Sequence, residues 1–194
     1  MTDAHARADM VAYCRRLWDR RLVTGTSGNV SLRLSSGDLL VTPAGRCLGS
    51  VTDDELVIVD TQGTPRDPSA RASSELPLHL AAYAARNDIA CVVHTHPTFC
   101  VVWSKFGRVF DRDTVGARET LGPVAFVPYR EPGTKDLAAL CGSEFARGID
   151  TVLMERHGLS AVGTSLERAF VLSDLAEEAA RIAYFSRGDS RPGC

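Results

Sequence analysis

Three histidines and one glutamate are the residues of this chain whose types and spacing could do metal chemistry. His94 and His96 end an apolar run (IACVVHTH, 89–96) that predicts a strand. Because alternate strand residues point to the same side, both imidazoles can converge on one point. His157 precedes a glycine at a turn between two apolar strands, and Glu75 begins a predicted helix. Imidazole and carboxylate ligands with few cysteines are typical of an open, catalytic divalent metal site.

His79 leaves two interpretations open. It follows Glu75 by four residues, which places both side chains on one face of the predicted helix. The imidazole could be a further metal ligand. It could instead pack beside the sheet or donate a hydrogen bond to a carbonyl group, and we favour this structural interpretation.

Three short loops are rich in glycine and in hydroxyl or amide side chains. They are GTSGN (25–29), PAG (43–45) and the pair Ser73-Ser74. Glycines let backbone N–H groups point into a common concavity, and the helix N-terminus after Ser74 adds a favourable dipole. Each loop alone fits an ordinary turn, but together they suggest a binding site for phosphate.

Composition and charge exclude several classes of function. The chain has 194 residues, of which 44% are hydrophobic, and a formal net charge of −2 without a basic block. We therefore expect one domain (1–194) and no nucleic-acid or membrane partner. The N-terminal stretch lacks the apolar region of a secretory signal, and the six cysteines contain no CxxC pair. We expect a cytoplasmic protein whose cysteines are reduced and mostly fill the core.

The hydrophobic pattern predicts mixed helices and short strands that must position these groups. Ser74 is the expected N-cap of the helix that carries Glu75, and residues 186–194 are expected to form a frayed tail. The short, half-alternating strands favour an α/β fold, a three-layer sandwich around a largely antiparallel central sheet. The expected helices span 10–22, 75–86, 97–105, 136–147 and 164–187, and the expected strands span 30–34, 39–42, 55–60, 89–96, 123–129 and the two halves of 151–163.

Several stretches together resemble the class II aldolase/adducin family, most closely its L-fuculose-1-phosphate aldolase branch. They follow one another in the family's order and span nearly the whole chain. The matching stretches are GTSGNVSLR (25–33), VTPAG (41–45), SSELPLHLAAYAAR (73–86), VVHTHP (92–97), PYREPGTKDLA (128–138) and RHGLSAVGTSLERAF (156–170).

The resemblance implies a role for each candidate residue. One Zn²⁺ per subunit, or another divalent metal, would be held by His94, His96 and His157. Glu75 would be the acid/base carboxylate beside the metal. The resemblance also implies a homotetramer with its sites at subunit boundaries. The substrate phosphate would be held by Thr26, Gly28, Asn29, Gly45, Ser73 and Ser74.

The implied reaction is cleavage of a small ketose 1-phosphate to dihydroxyacetone phosphate and a short aldehyde. A divalent metal would stabilise the charge left on the substrate, and a carboxylate could move the proton. Glu rather than Asp at position 75 favours an aldolase over the related 4-epimerases. The aldolases carry a tyrosine proton donor in the segment that is VFDRDTVGARETLGPVAF (109–126) here, where Thr114 takes its place. The resemblance therefore does not name the aldehyde.

Two other kinds of function are compatible with the sequence. The first keeps the metal and changes the reaction to that of a methylthioribulose-1-phosphate-type dehydratase, a 4-epimerase or a decarboxylase. The second is a non-catalytic, adducin-like interaction module. Adducin-type domains lack the histidine set, whereas this chain has all three histidines and Glu75, so an enzyme is favoured.

Overall fold

The computed structural model describes residues 3–186, which form five α-helices, one π-helical turn and seven strands. The expected tail after Ser186 and both ends of the expected 1–194 domain lie outside these residues. The helices are α1 (Asp3–Asp19), α2 (Leu76–Ala85), α3 (Thr98–Ser104), α4 (Lys135–Ala146) and α5 (Leu166–Ser186), with the π-helix at Ala117–Leu121. The strands are β1 (Asn29–Arg33), β2 (Leu39–Val41), β3 (Val57–Val59), β4 (Cys91–Thr95), β5 (Val124–Val127), β6 (Thr151–Met154) and β7 (Gly158–Gly163).

The seven strands form one sheet in the order β3-β2-β1-β4-β7-β6-β5. Every neighbouring pair is antiparallel except β5 and β6, which run parallel at one edge. The prediction of an α/β sandwich with a largely antiparallel sheet is confirmed. β4 lies in the middle, between β1 and β7, so the strand that carries His94 is paired along both edges.

Helices cover both faces of this sheet and make the three layers. Apolar residues of α2 and α4 pack on one face with Val92 of β4, and residues of α1 and α5 pack on the other face with Val93. This alternation explains why β4 is buried at every position although it is short. Four cysteines (Cys14, Cys91, Cys100 and Cys141) are free and buried, as expected of core filler.

α1 begins seven residues earlier than its sequence pattern predicts. The polar first turns are fixed to the rest of the protein at two points. Ala6 is buried, and the Arg7 guanidinium donates to the carbonyl oxygen of Asp53 at 2.6 Å. The helix also ends earlier, because Arg21 takes a left-handed conformation with φ 57°. Leu22 leaves the helix and is buried.

Candidate active site

Three imidazoles meet where β4 ends and where β6 turns into β7. His94 lies on β4, His96 follows its last residue, and His157 stands in the β6–β7 turn. Ring centroids of His94 lie 4.8 Å from those of both other histidines, and His96 and His157 are 5.1 Å apart. One nitrogen from each ring lies within 4.8 Å of the others. The structure therefore brings together all three histidines that the sequence singles out.

Strand pairing sets these positions. His94 lies opposite Asn29 on β1 and Ser160 on β7, so a shift of one residue in register would turn it to the other face of the sheet. The turn after His157 needs glycine, because a Cβ at Gly158 would lie 2.3 Å from the carbonyl oxygen of Thr95. Gly158 thus lets the backbone of β7 approach β4 closely enough for His157 to reach the cluster.

A backbone contact fixes which nitrogen of His94 is free. Its Nδ1 lies 3.0 Å from the carbonyl oxygen of Leu159, so Nδ1–H donates and the Nε2 lone pair faces the cluster. Nε2 of His94 and Nε2 of His96 are 2.9 Å apart. Burial, and then the neighbouring imidazoles His96 and His157, hold the pKa of His94 well below its ordinary value. Burial also lowers the pKa of His96, and that of His157 to about 4.

These residues fit a divalent metal ion. At neutral pH the low pKa values keep the imidazoles neutral, which is the form that binds metal. Nε2 of His94 and Nε2 of His96 are close enough for one ion to bind both, and a nitrogen of His157 lies within 4.8 Å of them. Within the described residues, Nδ1 of His157 and Oε2 of Glu75 are buried without a hydrogen-bond partner. A cation with an open coordination position would satisfy this donor set.

Glu75 is a buried carboxylate beside the histidines. It is 8% exposed, and its Oε1 lies 3.9 Å from Nε2 of His157. Burial raises its pKa, and the backbone N–H of Gly133 partly opposes this shift. Gly133 has φ 74°, and a Cβ there would lie 3.0 Å from the carbonyl oxygen of Ser74. A carboxyl group with a raised pKa can exchange protons closer to neutral pH than an exposed glutamate can.

The expected capping role of Ser74 is wrong. Glu75 itself is the N-cap of α2 and makes no side-chain capping bond. Ser73 makes the turn instead: its hydroxyl accepts from the N–H of Glu75 at 3.2 Å, and its carbonyl accepts from the N–H of Leu76 at 3.1 Å. The hydroxyl of Ser74 is therefore not used by the helix, and this exposed residue lines the cleft beside Glu75.

A cleft of about 210 Å³ opens beside Glu75, His96 and His157. The three donor-rich loops converge on it, which sequence spacing alone could not show. No lysine or arginine is among the described residues that line it. Ala44, where the sequence lacks a hydroxyl, and Pro132 complete part of the rim. All six residues expected to hold phosphate line the cleft: Thr26, Gly28, Asn29, Gly45, Ser73 and Ser74.

The segment expected to carry an acid in related aldolases is placed elsewhere. Thr114 is not one of the residues that line the cleft. Its hydroxyl accepts at 3.2 Å from the N–H of Ala117, the first residue of the π-helical turn. Among the described residues that line the cleft, none is a tyrosine, and Glu75 is the one carboxylate.

His79 packs beside the sheet, as the favoured interpretation predicts, and does not act as a further metal-type ligand. It is fully buried, and its two ring nitrogens contact Ser31 Oγ at 2.6 Å and Asn29 Oδ1 at 2.5 Å. It is not part of the metal-type cluster. Sequence reasoning missed Ser31 and Tyr83, whose side chains are 2.8 Å apart. The available signal was their spacing, since Ser31 is two residues from Asn29 on a strand and Tyr83 is four from His79 on a helix.

Metal-free protein is expected to lose stability as the pH falls below the ordinary histidine value. Burial lowers the pKa of His79 from 6.5 to about 3. The unfolded chain binds this proton first, so the stability present above pH 6.5 is lost as the pH falls toward 3, by about 1.4 kcal/mol per pH unit. Urea unfolding of chelator-treated wild type and His79→Phe, between about pH 7 and pH 5, tests this. The free energy of unfolding should depend more steeply on pH in the wild type than in His79→Phe. The difference should correspond to the binding of about one proton. Equal slopes would contradict the prediction.

A larger groove lies away from these groups. It has a volume of about 570 Å³ between α2 and α4 and is lined mainly by apolar residues such as Leu76, Leu80 and Ala138. Lys135 is its one ionisable lining residue. Size alone is therefore a poor guide here, because the smaller cleft holds the side chains that can do chemistry. Among the described residues, no helix has both the length and the apolar character needed to cross a bilayer.

Comparison with known proteins agrees with this geometry. Residues 8–184 match the family model "Class II Aldolase and Adducin N-terminal domain". An L-fuculose phosphate aldolase of Methanococcus maripaludis is 30% identical over 176 residues, which cover 91% of this chain and 94% of that protein. A 3-oxo-tetronate 4-phosphate decarboxylase of Escherichia coli is 32% identical over 185 residues, covering 92% and 85%. The crystal structure of L-fuculose-1-phosphate aldolase from Thermus thermophilus superposes with a TM-score of 0.84 at 26% identity, covering 97% and 99%. This chain therefore belongs to the class II aldolase and adducin family and is an enzyme of its metal-dependent aldolase type.

Proposed function

We propose that this protein is a zinc-dependent aldolase that cleaves a small ketose 1-phosphate, of the L-fuculose 1-phosphate kind, to dihydroxyacetone phosphate and a short aldehyde. One observation carries the proposal. Three converging, neutral imidazoles lie beside a buried carboxylate at the base of a cleft rimmed by donor-rich loops. Relatives named for this reaction in other organisms support it.

His94, His96 and His157 are the proposed metal ligands. Three imidazoles with an open position suit Zn²⁺, and other divalent ions can occupy such a set. When bound, the metal supplies a Lewis acid for the negative charge that develops on the substrate oxygens. The backbone carbonyl of Leu159 orients His94 for this task.

Glu75 is the proposed proton carrier. Cleavage breaks the carbon–carbon bond beside the hydroxyketone, and the electron pair stays on the carbon next to the carbonyl. The departing carbinol gives its hydroxyl proton to solvent water and becomes the aldehyde. The carboxyl group of Glu75 then gives a proton to the carbon that kept the pair, which yields dihydroxyacetone phosphate. Burial raises the pKa of Glu75 and so helps it to hold a proton for this step.

The phosphate is proposed to lie on the loop side of the cleft. There it would meet the hydroxyls of Thr26, Ser73 and Ser74, the amide of Asn29 and the loop backbone at Gly28 and Gly45. The N-terminus of α2 lies directly behind Ser74 and favours an anion. These neutral donors can bind phosphate without a lysine or arginine.

Decarboxylation is the second candidate, and one observation favours it. No tyrosine lines the cleft within the described part of the chain, so no such acid or base faces the departing half of the substrate. Loss of carbon dioxide needs no proton removed from a carbinol, because a carboxylate leaves with its charge already in place. The similarity to the Escherichia coli decarboxylase supports the same reaction.

We also propose a cytoplasmic homotetramer with each site at a subunit boundary. The family resemblance supports the assembly. The open rim of the cleft, where Thr26, Ala44, Gly45 and Ser74 are all exposed, leaves room for a neighbouring subunit.

A substrate screen tests the two candidates. Zinc-loaded protein is incubated with a panel of ketose 1-phosphates and 3-oxo sugar-acid phosphates, with coupled detection of dihydroxyacetone phosphate and of carbon dioxide. We expect dihydroxyacetone phosphate with an aldehyde from at least one ketose. Dihydroxyacetone phosphate with carbon dioxide would select the decarboxylase. Turnover without dihydroxyacetone phosphate would contradict both and point to a dehydratase or epimerase.

A further inference from the structure

A buried hydrogen-bond chain joins α2 to a residue that lines the cleft. Asn29 and Ser31 are alternate residues of β1, and His79 and Tyr83 lie one turn apart on α2, all of them buried. Nε2 of His79 lies 2.5 Å from Oδ1 of Asn29, and Nδ1 lies 2.6 Å from Oγ of Ser31. Oγ of Ser31 lies 2.8 Å from the phenol oxygen of Tyr83.

The donors and acceptors of this chain give it one direction. Oδ1 of Asn29 only accepts hydrogen bonds, so the Nε2–H of His79 donates to it. A neutral imidazole that carries its proton on Nε2 accepts at Nδ1, so the hydroxyl of Ser31 donates to Nδ1 of His79. The oxygen of Ser31 then accepts from the O–H of Tyr83. With Oδ1 turned to His79, the NH₂ group of Asn29 is left for the cleft.

We infer that His79 is a positioning residue, which fixes the carboxamide of Asn29 with its NH₂ group toward the cleft. This end of the cleft then selects a group that only accepts hydrogen bonds, such as a phosphate. The inference deepens the proposed function and rests on it for the identity of the anion. Orientation matters because the described lining of the cleft has no lysine or arginine. A flipped amide would turn the lone pairs of Oδ1 toward the anion and repel it.

A purely structural His79 would fill the same space without setting the amide. Two features argue against that interpretation. Both ring nitrogens contact polar side chains, although the α2 layer around them is otherwise apolar. Asn29 also lies opposite the metal-type residue His94 on the neighbouring strand, so its amide has a fixed place relative to the cluster. The two interpretations differ in what happens to phosphate affinity when His79 is replaced.

The first test reads the tautomer directly and needs no activity. Zinc-loaded protein with ¹⁵N-labelled histidine is studied by NMR, and the signals of His79 are assigned from their loss in His79→Phe. We expect the proton on Nε2. A proton on Nδ1 would reverse the chain and overturn the inference.

The second test measures binding of inorganic phosphate to zinc-loaded variants by calorimetry. His79→Phe should weaken binding about tenfold, as for a lost hydrogen bond to a charged group. His79→Gln can still accept from Ser31 and donate to Asn29, and it should keep affinity within about threefold. In the Asn29→Ala background, His79→Phe should cause no further loss, since the two residues act as one unit.

The possible failures point to different errors. A loss in His79→Phe that persists in the Asn29→Ala background would overturn the positioning role alone, because His79 would then act without the amide. Absence of phosphate binding in the wild type would overturn the proposed function together with the anion selectivity. The NMR test of the His79 tautomer does not depend on either of these phosphate-binding results.

Discussion

Replacing His96 with alanine is expected to lower the rate of hydrogen exchange at dihydroxyacetone phosphate by about a thousandfold or more. His96 supplies one of only three imidazoles in the cluster, and its loss leaves too few ligands to hold the metal. Lewis-acid stabilisation accounts for several kcal/mol of a barrier, and each 1.4 kcal/mol is a tenfold change in rate. Exchange of the substrate carbon's hydrogen with deuterated water, followed by NMR, measures the effect without knowing the aldehyde.

The metal content of the same protein preparations is measured as well. Elemental analysis of freshly purified wild type should give about one zinc per chain, and His96→Ala should give much less. A chelator should reproduce the loss in the wild type, and added zinc should restore activity only there. His5→Ala, a change at an exposed residue of α1, is the matched control and should behave as wild type. Wild-type protein that contains no stoichiometric metal would contradict the proposal of a zinc enzyme.

Glu75→Gln is expected to keep the metal and to slow hydrogen exchange by about a hundredfold to ten-thousandfold, the usual contribution of a general acid or base. The amide has the shape of the carboxyl group but cannot carry a proton. The free energy of unfolding should not fall in this variant. Burial raises the pKa of Glu75, so the site disfavours the charged carboxylate that the substitution removes. Exchange kinetics, zinc content and urea unfolding together separate these effects.

Glu144→Gln provides the comparison for this change. That residue lies on α4 and pairs at 2.9 Å with the exposed Arg147, away from the cleft. The same chemical substitution there should leave exchange unchanged. Unchanged exchange in Glu75→Gln would remove the assigned proton role, and loss of zinc in that variant would instead make Glu75 mainly a metal ligand.

The sequence could predict the parts of the site that depend on local spacing. His94 and His96 lie at the end of an apolar strand, and the glycine after His157 marks a tight turn, so their chemistry and their elements could be read together. The antiparallel character of the sheet followed from the short, alternating strands. These features require no knowledge of which elements pack against each other.

The remaining features depend on packing between distant segments. Whether His79 meets a metal or an amide is decided by how α2 lies on β1, and nothing near His79 in the chain encodes that contact. Ser74 has the residue type of a helix cap, but the preceding Ser73 takes the turn-forming contacts and leaves Ser74 at the cleft. The early start of α1 likewise depends on the contact between Arg7 and the carbonyl oxygen of Asp53.

The division between strands and loops has a consequence for redesign. The histidine cluster is supported by the middle of the sheet, through pairings on both edges of β4, whereas much of the cleft rim comes from loops at 24–28 and 43–45 and from Pro132. Ala44 lies on such a loop, is exposed, and belongs to no strand or helix. Libraries that vary Pro43 and Ala44 can therefore change which anion the loop side of the cleft accepts, while the strands that support the histidine cluster stay unchanged.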